Sequence, residues 1–290
     1  MINLSYIITT RNKLPYLKST LGELIKNKKE DEEIVVADGA STDGTKEYLE
    51  SLFSQKKIDT YVSEPDASEA HGFNKCMLMA NGILIKLITD DDAIYYPAVG
   101  SCKNFMLEYP EIDILGTNGG FLKQNTKEDP RIFDYSNEQK NWIKDHTPFA
   151  ACGLGLMVRR RSIPLIGLLD PAFRKSDGEF LLRVTSGKAN IAWYSGYAFV
   201  NISNPKSTSI VHMKQIESET ERMNKFYLNQ NPDPFLIKKL KALKNKILHG
   251  QHSEKKPEGA QSDLSSLILV SLGWLEKINR KSHAEFIWKK

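Results

Sequence analysis

Three consecutive carboxylates, Asp90, Asp91 and Asp92, stand in the stretch KLITDDDAIYYP at residues 86–97. Adjacent carboxylates repel one another and destabilise a fold unless a cation or several hydrogen-bond donors sits among them. Clusters made only of oxygen suit hard divalent cations such as Mg²⁺ or Mn²⁺. The plain alternative is a solvated turn in which water screens the charges. A short apolar run, 84–88, leads into the triplet. Such runs read as buried strands, and aspartate is a poor strand former, so the triplet marks the strand's C-terminal edge. In an open α/β sheet that edge is where ligands bind.

A second loop of the same kind is DGASTDGT, 38–45, which follows the apolar run 34–37. Its glycines permit close approach to a ligand. Asp38, at the strand end, offers a carboxylate that can accept an N–H from a nucleotide base. Ser41 or Thr42 can cap a helix starting near Asp43 and running to about Phe53. Neither a Walker A sequence nor GxGxxG occurs here, which argues against P-loop and dinucleotide chemistry. A third set lies in SDGEFLLRV, where Asp177 and Glu179 precede the apolar Phe180, Leu181 and Val184. Residues two apart on a helix do not face the same way, so only one of the two carboxylates can address a given site. The structural alternatives are that Asp177 caps this helix and that Glu179 only complements its dipole.

These residues need a scaffold, and the hydropathy pattern supplies one. Apolar runs at 4–9, 33–37, 58–62, 83–89, 112–116 and 191–200 read as strands. Helical spacings separate them: Leu14, Leu17, Leu21, Leu24 and Ile25, then Cys76, Met77, Met79 and Ala80, then 98–108. Strands alternating with helices predict an α/β fold around a Rossmann-like, mostly parallel central sheet. Residues 117–148 are polar and irregular and read as a hairpin or a mobile segment. CGLGLMVRR at 152–160 is strand-like with unusual glycines, and 208–211 reads as a last body strand ending at His212.

The chain of 290 residues is long enough for one large domain, or for a domain with an appendage. Residues 232–290 carry twelve Lys/Arg against six Asp/Glu, whereas the whole chain is only +4. The basic character therefore belongs to the tail, and a general nucleic-acid-binding surface on the body is excluded. Three scattered cysteines without a CxxC pair speak against a disulfide framework or a zinc site and for a reducing compartment. The opening MINLSYIITTRN lacks a basic region and a small-residue cleavage site, so it reads as a first strand and not a signal peptide. Segment 213–228 is helical, 235–248 is a basic amphipathic helix, 250–263 is a polar linker, and 264–278 is an apolar helix too short to span a bilayer. The expected organisation is a body over 1–215 and a helical, basic extension over 216–290. That extension can lie on anionic lipid or pack its leucines on protein.

In this order, SYIITTRN, EEIVVADGASTDGT, SEPDASEAHGFNKCMLMANG, LITDDDAIYYP and VRRRSIPLIGLLDPAF with SDGEFLLRV resemble glycosyltransferase family 2 over roughly residues 3–200. The resemblance implies a GT-A fold and inverting transfer of a hexose or N-acetylhexosamine from a UDP-sugar donor, with Mn²⁺ or Mg²⁺ on the diphosphate. Asp38 matches the position that contacts the base, and Thr10 and Arg11 belong to the loop bordering the nucleotide. Asp90 and Asp92 match the outer members of the family's DxD motif, with Asp92 the direct metal ligand and Asp91 nearer the ribose or sugar. Lys75, beside Asn74, lies where the family approaches the diphosphate or donor sugar, although it also reads as a solvated helix lysine. Asp177 matches the general base. Ser176 stands where the family usually has an acidic residue, and Glu179 matches its next acidic position in kind. His212 is a further metal-ligand candidate, since some GT-A enzymes take a ligand from the C-terminal region. The implied acceptor is a growing glycan or a lipid-linked saccharide, which places the protein in the cytoplasm at the inner face of a membrane and in polysaccharide biosynthesis. The competing readings are a nucleotidyltransferase-like enzyme and a non-catalytic nucleotide- or sugar-binding module. TTRNKLPYLK, after the first strand, lacks the glycine run expected of the former.

Overall fold

A computed structural model describes residues 1–124, 128–203, 207, 211–229 and 264–289. The first half alternates strand and helix: β1 (Leu4–Thr10), α1 (Leu14–Asn27), β2 (Glu32–Asp38), α2 (Thr45–Ser54), β3 (Thr60–Ser63), α3 (Glu69–Met79) and β4 (Leu84–Ile88). After the acidic triplet come β5 (Ala93–Ile94), α4 (Tyr96–Glu108), β6 (Ile114–Leu122), β7 (Arg131–Phe133) and α5 (Ser136–Asp145). A 3₁₀ turn at Gly153–Gly155 precedes β8 (Met157–Arg159), followed by α6 (Ile163–Ile166), α7 (Ser176–Ser186) and β9 (Ile191–Ile202). The chain closes with α8 (Met213–Leu228), α9 (Leu264–Lys281) and β10 (Phe286–Ile287).

The central sheet runs β10-β9-β6-β8-β4-β1-β2-β3. β1, β2, β3 and β4 are mutually parallel, so Thr10 pairs in register with Asp38 and the ends of β1, β2 and β4 share one edge. Antiparallel β8 sits between β4 and β6, and β6 pairs parallel with β9. Strand side chains alternate between the two faces. Ile7, Val35 and Ile85 meet α3, α5 and α7 through Phe73, Trp142 and Phe180. Tyr6, Ile8, Ile34 and Val36 meet α1, α2 and α4 through Leu17, Leu21, Leu49 and Val99. The helices bury the faces expected from their spacing.

Several elements differ from the sequence expectation for identifiable reasons. The stretch 117–148 forms the expected hairpin, from β6 and β7, but adds α5, whose polar surface hid the helical period around its two buried residues, Gln139 and Trp142. The helix after DGASTDGT is capped by neither Ser41 nor Thr42. Asp43 does it, accepting from Thr45 N at 3.3 Å and Thr45 Oγ1 at 2.6 Å, while its second oxygen accepts from Leu14 N at 2.9 Å. One carboxylate thereby caps both α2 and α1. Of the strand expected over 208–211, residues 208–210 lie outside the described residues and Val211 is helical, bonded to Ser207 O at 3.0 Å.

The tail returns to the body. Leu264, Ile268 and Leu275 of α9 are buried against Ala93, Leu122, Val200 and Ile202. β10 then pairs antiparallel with β9, and Phe286 stacks on Phe105 with ring centroids 3.8 Å apart. Leu264, Leu267, Leu272 and Leu275 of α9 thus pack on the body, while Leu269 and Val270 remain exposed. The basic amphipathic helix expected at 235–248 lies outside the described residues. Among the described residues no helix is long and apolar enough to cross a membrane.

Candidate active site

The ends of β4, β1 and β2 converge because those strands are parallel neighbours. The acidic triplet follows β4 directly and is buried: Asp90, Asp91 and Asp92 are 3 %, 6 % and 2 % exposed. Asp90 accepts from Thr10 Oγ1 at 2.7 Å and from Lys13 Nζ at 2.9 Å, and the same ammonium reaches Asp91 at 3.1 Å. Asp92 turns the other way. It accepts from Ile202 N at 2.5 Å and Asn201 Nδ2 at 3.1 Å, and from Thr89 Oγ1.

One lysine does not neutralise three buried carboxylates. Burial, with Asp91 beside it, pushes Asp90 up to about 7 against the opposing pull of Lys13. Burial and Asp91 likewise hold Asp92 well above the usual carboxylate range. Lys13 itself is raised: burial disfavours its charge, but Asp90 and Asp91 outweigh it. A surplus of desolvated negative charge on hard oxygen ligands fits a divalent cation. Asp90 and Asp91 share the Lys13 ammonium, while Asp92 is tied to the β9 backbone. Among the described residues no three His, Cys, Asp or Glu side chains already form a metal-holding group.

The acidic triplet and Asp177 line one cavity of about 300 Å³, together with Lys13, Phe73, Gly153, Arg174 and Asn201. Asp177 sits in the first turn of α7, which begins after Lys175, so it is a helix residue and not the cap. Gly153 N donates to its Oδ2 at 2.9 Å and Gly178 N to its Oδ1 at 2.7 Å. A Cβ on Gly153 would lie 2.9 Å from Asp177 Cβ, so only glycine lets the turn approach this closely. Glu179 is not brought to the cavity. It is 4 % exposed on another side of α7, where it accepts from Arg183 Nε at 2.9 Å and Tyr227 Oη at 3.0 Å. His212 is not brought there either: it flanks the start of α8 and does not line the cavity.

Asp38 and Arg11 lie at the same sheet edge, at the ends of β2 and β1. Asp38 is fully buried at the end of β2, and its carboxylate accepts from Ser41 N at 3.1 Å, Ser63 Oγ at 2.6 Å and Ser41 Oγ. Arg11 is exposed at the tip of β1, with its Cδ 3.2 Å from where a Gly39 Cβ would stand. Lys75 does not reach into the cavity. It pairs with Asp66 at 2.6 Å and Glu64 at 3.1 Å, and although burial works against its charge, these carboxylates raise it above its ordinary value. Asn74 instead clamps Leu169, donating to its carbonyl at 2.7 Å and accepting from its N–H at 3.0 Å.

Lys13, Asp66 and Gly153 escaped the sequence reading. For Lys13 the sequence holds a usable signal: it is the one ammonium in the loop after β1. Asp66 was within the quoted SEPD segment, but its proximity to Gly39 and Gly72 emerges only when α3 crosses β1 and β2.

The model of glycosyl transferase family 2 matches residues 5–163. Among solved structures, S. aureus TarS 1-349 in complex with UDP-GlcNAc is 16 % identical, with TM-score 0.57 over 85 % of this chain and 70 % of that one. The same TarS segment in complex with UDP is 18 % identical, with TM-score 0.56 over 87 % and 74 %. Mannosyltransferase PcManGT from Pyrobaculum calidifontis, in complex with GDP-Man and Mn²⁺, is 12 % identical, with TM-score 0.53 over 97 % and 76 %. The chain spans 43 % of the longer S. aureus TarS structure that it also matches. No curated protein sequence matches it. With its family model covering more than half its length and its sheet shared with these structures, the chain belongs to glycosyl transferase family 2, and it is a glycosyltransferase of the GT-A fold.

Proposed function

We propose that this glycosyltransferase moves a hexose or N-acetylhexosamine from a UDP-sugar to a hydroxyl of a glycan or lipid-linked acceptor, with inversion and with a divalent cation on the diphosphate. The observation that supports the reading is one cavity lined by both the acidic triplet and Asp177. A single in-line displacement requires that arrangement. The diphosphate leaves toward one side while a carboxylate on the far side takes the acceptor's proton. Asp177 is the base in this reading, because its neighbour Glu179 is committed to Arg183 and Tyr227. The Gly153 and Gly178 N–H groups hold the Asp177 carboxylate in position. Thr10 and Lys13 hold Asp90 and Asp91 on the donor side.

A cation held by Asp90 and Asp91, with Asp92 behind them, would offset the charge that grows on the departing diphosphate. Asp38, Thr10 and Arg11 border the nucleotide in this reading, and UDP is favoured because the TarS structures carry UDP and UDP-GlcNAc. The Mn²⁺ with PcManGT supports the cation. Lys75 of α3 and Asp66, in the loop before it, form an ion pair at the same edge.

A donor screen that reads nucleotide release with Mn²⁺ and with Mg²⁺ tests this. Release of UDP is the expected result, whereas pyrophosphate release would indicate nucleotidyl chemistry and no release would indicate a binding module. Asp177→Asn is expected to lower turnover by about 10²- to 10⁴-fold while leaving UDP affinity in place. Full turnover in that variant would remove Asp177 as the base.

A further inference from the structure

We infer that Glu219, on α8, is a positioning residue for Asp177, acting through the backbone that leads into α7. The inference rests on the transferase reading above.

The first N–H groups of any helix lack partners within it. In α7 the flanking residue Lys175 offers no side-chain cap. The two N–H groups just before the helix's first residue, Ser176, find a partner 45 and 44 residues further on: Glu219 Oε2 accepts from Arg174 N at 2.9 Å and from Lys175 N at 3.0 Å. The other oxygen of Glu219 accepts from Gln215 Nε2 at 2.9 Å, which fixes the rotation of the carboxylate. A carboxylate at this place also meets the positive end of the α7 dipole. The same two helices are joined again where Tyr227 Oη donates to Glu179 Oε1 at 3.0 Å. α8 also borders the cavity through Ile216.

Asp177 is thereby held from two sides. Gly153 N fixes its carboxylate at 2.9 Å, and Glu219 fixes the main chain two residues before it. Removing Glu219 frees that main chain while leaving the acidic triplet and the β1 and β2 tips untouched. The expected signature is therefore loss of turnover with donor binding preserved. A displacement of about 1 Å at a reacting group costs up to about 100-fold in rate.

The test compares full-length protein with Glu219→Ala and Glu219→Gln, using the donor identified by nucleotide release and reading kcat, donor KM and UDP affinity. Glu219→Ala is expected to lower kcat by roughly 10- to 100-fold with donor KM and UDP affinity within about two-fold. Glu219→Gln keeps an acceptor oxygen, though a weaker one, and is expected to recover kcat to within about five-fold of wild type. An unchanged kcat in Glu219→Ala overturns the inference while leaving the transferase reading intact. So does a glutamine variant no better than alanine. A Glu219→Ala protein that no longer binds UDP also overturns it, because Glu219 would then serve the fold as a whole. A wild-type protein that releases no nucleotide from any donor removes both the inference and the reading beneath it.

Discussion

Lys86 lies fully buried in the middle of β4, four residues before the acidic triplet, with no carboxylate as partner. Its ammonium donates to Leu87 O at 2.9 Å, Leu156 O at 3.3 Å and Leu154 O. These carbonyls are neutral, so nothing offsets the loss of hydration, and burial pushes Lys86 down from the ordinary 10.5 to about 8. A lysine that binds its proton less tightly when folded makes stability depend on pH in a defined direction. Between about pH 8 and pH 10.5 the unfolded chain holds more protons than the native one, so raising the pH through that window stabilises the fold. The full effect is about 3 kcal/mol, most of which falls between pH 7 and pH 10.

Other groups also titrate there, so the informative quantity is the stability of wild type minus that of Lys86→Met. Methionine fills the same space without a charge, and the shared titrations cancel in the difference. Urea unfolding of both proteins, followed by fluorescence of the four tryptophans at pH 7 and pH 10, measures it. The difference is expected to move in favour of wild type by about 2–3 kcal/mol at the higher pH. A difference unchanged with pH would refute the argument, because it would mean that the site binds the proton as water does. At pH 7 the substitution also leaves carbonyls of the 153–156 turn without a donor, at roughly 1–3 kcal/mol for a buried polar group. That turn presents Gly153 N to Asp177, so the lysine links the strand bearing the acids to the shelf that holds the base.

Three further expectations rest on equally specific observations. A Cβ added at Gly116 would stand 2.0 Å from Trp193 Cζ3 in the core, so Gly116→Ala is expected to lose about 1–3 kcal/mol of stability in urea unfolding. Asp90 is raised to about 7, and protons therefore compete with a cation for it near neutral pH. Mn²⁺-dependent UDP affinity, measured by calorimetry, should strengthen from pH 6 to pH 8, and an affinity flat across that range would count against Asp90 as a ligand. The same raised pKa makes the metal-free fold less stable as pH rises from about 4 to about 7, since the native state holds the extra proton in that window.

What the amino-acid sequence conveyed was the local part of the design. Runs such as 34–37 and 84–88 are fully buried strands, and their polar ends had to be strand tips, so Asp38 and the acidic triplet fell at one edge of the sheet. The short helix after SDGEF and the apolar helix near the C-terminus followed from spacing in the same way. The residues that complete the site carry no such local mark. Lys13 meets Asp90 across 77 residues and Glu219 meets Arg174 across 45, and each lies in a segment whose own pattern is that of an ordinary solvated helix start or helix face. Glu179 shows the same limit from the other side. On residue type alone it rivalled Asp177, and what separates them is the direction of a helix turn together with Tyr227, 48 residues away. Periodicity locates where a ligand must bind, because strand ends are set by burial. Which charged group turns toward the ligand is decided by ion pairs between distant segments, and a buried excess of like charge is the one sequence signal that such a partner must exist.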